Sequence, residues 1–238
     1  MKDEIDVIEL KEKLKDVIPL NAGGSYKLLW DMLYHIRLLK YIRQRHFKLI
    51  INKINNKPKY SKISSKKILS GLSVLGLVKN TYEDVYVSTF KSLSLLKQLG
   101  HNTSILPINL MGDGKDNEIN NTEVFIQAIN LPDFLFLLYP NFEYLRPDAL
   151  LVRGTKEKYW LEFLEVEASK SNWNGWLENK RINYLKLAGE KRPFSYWVSH
   201  CKLLDLPIPD IKDFRFSVSI IGKIKKDFGV GFNFMEDL

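Results

Sequence analysis

Residues 146–170 read RPDALLVRGTKEKYWLEFLEVEASK, which is two apolar runs joined by a polar turn. Asp148 follows Pro147 at the start of the first run, and the second run ends in two carboxylates, Glu165 and Glu167. Alternate residues of a strand point to the same side, so a hairpin of these runs can bring all three carboxylates to one edge of a sheet. Clustered carboxylates on a rigid sheet suit Mg²⁺, and a metal held there can activate water against a phosphodiester.

The same residues resemble the PD-(D/E)xK nuclease superfamily, in which an Asp on one strand precedes an acidic-x-Lys on the next, with a helix behind. Within it, the chain is more similar to plasmid replication-relaxation proteins, which join a winged helix to a nuclease-like domain carrying RPDA and EvD-like elements. The resemblance covers most of the chain after residue 25. It implies a DNA-binding protein of plasmid or mobile-element replication or mobilisation, with little or no catalysis. The alternative is a DNA endonuclease dependent on Mg²⁺ or Mn²⁺.

Glu167 departs from the superfamily pattern, because the superfamily usually has Lys at that position. That Lys is expected to orient or deprotonate the attacking water and to stabilise developing negative charge. A Glu cannot supply the positive charge. The resemblance implies Asp148, Glu165 and Glu167 as metal ligands. Three interpretations of Glu167 stay open: it acts as a general base, a lysine has moved, or the site is inert and only binds DNA. Lys170 and Lys180 are the candidates for a displaced lysine.

Residues 173–189 predict a helix whose wheel places Lys180 among apolar side chains. At about 100° per residue, Lys180 lies between Leu187 and Tyr184, within the arc that includes Trp176. Two interpretations stay open. The ammonium reaches solvent past Trp176, as long basic side chains often do, or it points at the carboxylates. The Lys180-x-x-x-Tyr184 spacing also resembles a helical (Q/K)xxxY element that follows the acidic motif in some superfamily members.

The distribution of charge favours a polyanionic partner. The 238 residues are 45% hydrophobic and 27% charged, which is typical of a folded soluble protein, and the net charge is +8. Between Met32 and Tyr82 there is no Asp or Glu, whereas Lys and Arg recur throughout the stretch. A basic segment free of acids is the charge pattern expected of a nucleic-acid-binding surface.

Residues 25–100 predict helices over Tyr26–Ile36 and Leu38–Ile51, then a third helix and a short hairpin. Ser64 or Ser65 can cap a third helix that ends at Gly76, and strands near 77–79 and 85–88 follow. The phrase GLVKNTYEDVYVSTFKSLSLLKQLG resembles the wing and following helix of winged helix-turn-helix domains.

The third helix of a winged helix enters the major groove of DNA. Lys and Ser suit phosphate contacts better than base recognition, so strong sequence specificity is not expected. The alternative is a winged helix that contacts protein. The predicted DNA-binding residues are Lys59, Lys62, Ser64, Ser65, Lys66, Lys67 and Ser70.

The predicted fold class is α+β, in four segments. Residues 1–24 form an amphipathic helix that packs on the body or on a second copy, and residues 25–100 form the winged helix. Residues 101–120 are a linker, and residues 121–238 form the nuclease-like α/β domain. In that domain Thr122 can cap a helix through Ile129. Strands are predicted near 134–138, 149–153, 159–167, 214–221 and 230–234.

Several classes of protein are excluded or disfavoured by composition. The one cysteine, Cys201, excludes an intrachain disulfide and a Cys-based zinc site, which fits a cytoplasmic location. The charged N-terminus does not resemble a secretion signal, and no apolar run is long enough for a membrane span. DNA is the expected partner, and a second copy of the chain is a further candidate partner. A transcriptional regulator with an unrelated α/β effector domain is a third interpretation.

Overall fold

The computed structural model describes residues 5–17, 26–55, 65–82, 84–108, 115–167, 173–222 and 232–235, with only the backbone described for a few of them. These residues form eight helices and two sheets, which confirms the predicted α+β class. The chain divides into two compact units, residues 1–126 and 127–238. None of the described helices combines the length and the apolar character needed to cross a membrane.

The first unit is helical with one small sheet. Its helices are α1 (Val7–Val17), α2 (Tyr26–Leu38), α3 (Gln44–Asn55), α4 (Ser65–Val74), α5 (Phe90–Gln98) and most of α6 (Lys115–Ile129). The strands are β1 (Tyr41–Arg43), β2 (Val78–Tyr82) and β3 (Val85–Ser88), in the antiparallel order β1-β3-β2. Apolar side chains of α2, α3 and α4, including Leu33, Ile36, Phe47, Leu69 and Leu72, are fully or almost fully buried and form its core.

Two boundaries in this unit differ from the sequence prediction. The predicted helix over Leu38–Ile51 is interrupted, because Lys40 adopts a left-handed conformation with φ of 62° and strand β1 follows it. Helix α6 begins at Lys115, inside the predicted linker, and Thr122 is not its cap. The buried Thr122 hydroxyl instead donates a hydrogen bond of 2.6 Å to the carbonyl of Tyr41. This contact joins α6 to the first residue of β1.

Helix α5 is joined to the end of α4 through the side chain of its N-cap, Thr89. The Thr89 hydroxyl accepts from the backbone N–H of Ser92 at 3.3 Å and donates to the carbonyl of Gly76 at 2.7 Å. We expect Thr89→Ala to lower the free energy of unfolding by about 1 kcal/mol, because both contacts are lost. Thr89→Ser keeps the hydroxyl and is the matched control. Equal urea midpoints for wild type and Thr89→Ala would contradict this prediction.

The second unit is built on a five-stranded sheet. Its strands are β4 (Phe134–Leu138), β5 (Ala149–Gly154), β6 (Tyr159–Glu167), β7 (Phe216–Gly222) and β8 (Phe232–Met235), in the order β4-β5-β6-β7-β8. Only the β6–β7 pair among these is parallel. A parallel pair needs a crossover connection. Helices α7 (Trp173–Gly189) and α8 (Arg192–Leu204) supply it.

Helix α8 was absent from the sequence prediction, which passed from α7 directly to a strand. Its signals were present: Pro193 lies in the first turn, where proline fits a helix. Trp197, Cys201 and Leu204 recur at helical spacing and are all buried. The omission arose because Gly189 was taken as the end of helical structure in this region.

The turn between β5 and β6 fixes the register of the hairpin that carries the acidic residues. Gly154 has a φ of 118°, and a Cβ atom there would overlap the carbonyl oxygen of Lys158. Glycine is therefore required at this position. The resulting register pairs Gly154 with Tyr159 and Ala149 with Leu164. It brings Asp148, the residue directly before β5, beside the end of β6.

Candidate functional site

Asp148 lies at the start of β5 and is fixed against β6. Its backbone N–H donates to the carbonyl of Leu164 at 3.1 Å, and its Oδ2 atom accepts from the backbone N–H of Val166 at 2.7 Å. Leu164 and Val166 are the residues on either side of Glu165, so Asp148 and Glu165 are neighbours on adjacent strands. The predicted hairpin thus places two of the three carboxylates side by side.

Glu165 is buried and forms the centre of a polar cluster with two side chains of α7. Its side chain is 2% exposed. Lys180 donates from Nζ to Glu165 Oε2 at 2.7 Å, and Tyr184 donates from its hydroxyl to Glu165 Oε1 at 2.8 Å. Because Lys180 and Tyr184 are four residues apart, they lie on one face of the helix and can reach the same carboxylate.

Lys180 therefore points at the carboxylates, which was one of its two predicted orientations. Its ammonium also lies 5.7 Å from the ring centre of Trp176, within range of a cation–π contact. Tyr184 was not among the predicted site residues, although its spacing from Lys180 had been recognised. Its position against Glu165 depends on how α7 packs on β6, which the spacing alone does not specify.

The titration of this cluster is dominated by burial. Burial raises the pKa of Glu165 above its ordinary value, and the neighbouring Asp148 charge adds to that rise, while Lys180 and Tyr184 oppose it. Burial and the Glu165 charge raise the pKa of Tyr184 well above its ordinary value. Tyr184 is consequently a neutral donor at physiological pH.

The described side chains do not fit a complete Mg²⁺ site. Both oxygens of Glu165 are engaged by Lys180 and Tyr184, and one oxygen of Asp148 holds the β6 backbone. Among the side chains that the structure describes, no group of three His, Cys, Asp or Glu is placed to hold a metal. The backbone of Glu167 pairs with Gly222 on β7, but its side chain lies outside the described set, as does Lys170.

In the first unit, helix α4 presents part of the predicted DNA-binding set to solvent. Lys66, Lys67 and Ser70 are exposed. The prediction for Ser65 was wrong: it is 3% exposed, because it shares the buried face of α4 with Ile68, Leu69 and Leu72. Lys59, Lys62 and Ser64 lie outside the described residues.

The acid-free segment is not basic over its whole surface. Arg37 is buried, and its guanidinium donates to backbone carbonyls, among them those of Pro107 and Ser88. Arg45 forms an ion pair with Glu123 of α6. Lys48 on α3 and Lys79 on β2 are exposed. The surface charge available to a ligand is therefore smaller than the count of basic residues suggests, and it includes α4 and the hairpin strand that follows it.

No protein-family model matches this chain, and neither the curated proteins nor the solved structures include a significant match. Function must therefore be inferred from the chain's own residues and their geometry.

Proposed function

We propose that this protein binds duplex DNA through its first unit, as part of the replication or mobilisation of a plasmid or mobile element. Its second unit is a PD-(D/E)xK-like domain with little or no nuclease activity. The observation that carries the proposal is helix α4, whose Ile68 and Leu69 are buried while Lys66, Lys67 and Ser70 are exposed.

The order of elements in the first unit supports a winged helix. Helix α2, strand β1, helices α3 and α4 and strands β2 and β3 follow one another, and the sheet has the order β1-β3-β2. In this arrangement α4 occupies the position of the recognition helix, and β2 with β3 forms the wing. Lys66 and Lys67 then meet phosphates from α4, while Lys79 meets them from the wing.

The second unit supports a PD-(D/E)xK-like fold through its element order. Three antiparallel strands, β4, β5 and β6, are followed by a helical crossover, α7 with α8, and then by β7, which is parallel to β6. The Glu165 contacts support low or absent activity, because each of its oxygens accepts a hydrogen bond from Lys180 or Tyr184. The cluster then stabilises the domain instead of holding a metal.

A metal-dependent endonuclease is the second candidate function, and one observation favours it. Asp148 lies close enough to Glu165 to raise its pKa, and the Lys180 ammonium contacts the same carboxylate. Two carboxylates beside a lysine are the residue types that the superfamily pattern requires. The main departure from the superfamily pattern is that Glu167 occupies the position where lysine is usual.

Gel-shift and plasmid-cleavage assays on the same DNA separate these functions. We expect the purified protein to shift duplex DNA, and to leave supercoiled plasmid intact in Mg²⁺ or Mn²⁺. Asp148→Ala should shift the DNA equally well, since Asp148 lies outside the first unit. Plasmid cleavage that disappears in Asp148→Ala while binding persists would establish the nuclease instead. Absence of any shift at low salt would contradict DNA binding.

A further inference from the structure

A small cavity lies at the end of α7 and the start of α8. Its volume is about 280 Å³, close to the lower end of small-molecule sites. The lining combines an apolar floor with three cations and contains no acidic residue. The lining residues are Ala188, Lys191, Pro193, Phe194, Ile211, Lys212, Phe214, Arg215 and Phe216.

The floor of the cavity is aromatic. The rings of Phe194 and Phe214 lie 5.2 Å apart at 78°, and those of Phe214 and Phe216 lie 6.3 Å apart at 48°. Phe194 and Phe216 are only partly buried, so their rings contribute to the cavity surface. Such a floor suits a planar apolar group, because stacked or edge-to-face rings are the preferred aromatic arrangements.

The cations at this cavity lack the ion pairs made by other basic side chains of the unit. Arg153, Arg181 and Arg192 each pair with a carboxylate. By contrast, no carboxylate within the described residues pairs with Lys191, Lys212 or Arg215. Arg215 is held in place because its Nη1 atom donates to the carbonyls of Lys212 at 2.8 Å and Phe214 at 2.9 Å. Three cations that make no ion pair within the described residues, beside an aromatic floor, favour an anion that carries a planar ring.

We infer that this cavity binds an unpaired nucleotide of a DNA strand, with the base against the phenylalanine rings and the phosphate between the three cations. Aromatic platforms beside basic side chains are how proteins hold single strands without sequence preference. This inference rests on the proposed DNA-binding function. It extends that function, because the second unit would bind single-stranded DNA while the first unit binds duplex DNA.

The cavity and the Lys180 cluster are connected by α7. Ala188 lies eight residues after Lys180, or about 12 Å along the helix. One strand of DNA advances about 3.4 Å per nucleotide along a duplex, so a few nucleotides cover that distance. A strand seated in the cavity can therefore continue past Lys180, and DNA with a single-stranded tail is the form that engages the second unit.

The test is fluorescence anisotropy with a labelled single-stranded oligodeoxynucleotide of mixed sequence. We expect Ala188→Leu, which fills the floor without changing charge, to weaken binding at least about fivefold. Lys191→Gln/Lys212→Gln should weaken it about 20-fold at about 0.1 M salt, because two phosphate contacts are lost. The matched control is Lys97→Gln/Lys202→Gln, which removes two exposed lysines from α5 and α8 and should leave binding within about twofold. Thermal melting checks that each variant is folded.

Photo-crosslinking keeps the inference testable if Ala188→Leu fails to fold. Wild-type protein and an oligonucleotide with 5-bromodeoxyuridine should give crosslinks to peptides containing Phe194, Phe214 or Phe216. Crosslinks elsewhere, equal single-strand affinity in both cavity variants and wild type, or no single-strand binding would overturn the inference. Failure of the proposed function is distinguishable, because it would appear as duplex binding that Lys66→Ala/Lys67→Ala leaves unchanged.

Discussion

We expect Lys66→Ala/Lys67→Ala to weaken the binding of blunt duplex DNA by about 60-fold at about 0.1 M monovalent salt. Both lysines are exposed on α4, on the side opposite its buried residues. Each phosphate contact releases counterions, so each contributes about 0.9 to the slope of log affinity against log salt. Loss of two contacts should reduce the magnitude of that slope by about 1.8. Fluorescence anisotropy over a series of salt concentrations measures both quantities.

The control for this variant is Lys13→Ala/Lys15→Ala on α1. It removes the same charge from the same unit, but these lysines are already paired with Glu9 and Glu12. A small loss of affinity and an unchanged salt slope are expected for it. If both double variants lose affinity equally, net charge rather than the α4 surface determines binding. If neither loses affinity, α4 does not contact DNA.

The larger elements of the second unit could be predicted from sequence because their residues carry strong periodic signals. The β5 and β6 runs are apolar and are separated by a polar turn, and Gly154 sets their register. Asp148 and Glu165 were therefore expected to be neighbours, and they are. Periodicity could not give the burial of Glu165. The sequence pattern places this residue near the end of a strand and does not specify its exposure, and the structure shows that its side chain is 2% exposed.

The errors have identifiable physical causes. Strand β1 is three residues long, too short for any alternation to be recognised, and it depends on the left-handed turn at Lys40. Ser65 is predicted on the DNA-facing side because it lies at the start of the third helix and serine suits phosphate contacts. Its spacing from Ile68, Leu69 and Leu72 places it on the apolar face instead. The helical spacing of these four residues is therefore sufficient to predict that Ser65 is buried.

The orientation of Lys180 illustrates the limit of a helical wheel. The wheel places Lys180 on the apolar side of α7, but it cannot show what that side packs against. Snorkelling past Trp176 and pairing with a carboxylate fit the same wheel position. The packing of α7 on β6 decides between them, and it permits both contacts at once, since the ammonium lies near Trp176 and contacts Glu165.

Lys180→Met should lower the free energy of unfolding by about 3 kcal/mol near neutral or alkaline pH. The substitution keeps the length of the side chain but leaves the Glu165 carboxylate buried, with the Tyr184 hydroxyl as its one remaining side-chain donor among the described residues. Removing one partner of a buried ion pair leaves the other charge buried and unpaired, which destabilises the folded state. Urea unfolding monitored by circular dichroism measures the loss. Arg181→Met, at an exposed i,i+3 pair with Glu178, is the matched control and should cost about 0.5 kcal/mol or less.

The dependence on pH identifies Glu165 as the cause of that loss. Burial raises the pKa of Glu165 above 4.5 in the folded protein. A carboxyl with a raised folded pKa stabilises the fold fully below its unfolded pKa, and this contribution is lost as pH rises through the folded value. Removing the Lys180 charge raises the folded pKa further, so the Lys180→Met loss should be smaller at about pH 5 than at about pH 8.

Glu165→Gln in the Lys180→Met background completes the test, because it removes the ionisable group and keeps a side chain of the same shape. We expect the double variant to be more stable than Lys180→Met at about pH 8, and to lose the extra pH dependence. A loss in Lys180→Met that is the same at both pH values, and that Glu165→Gln does not relieve, would mean that Lys180 stabilises α7 through its packing on Trp176. The carboxylate–lysine cluster would then have no electrostatic role in the fold.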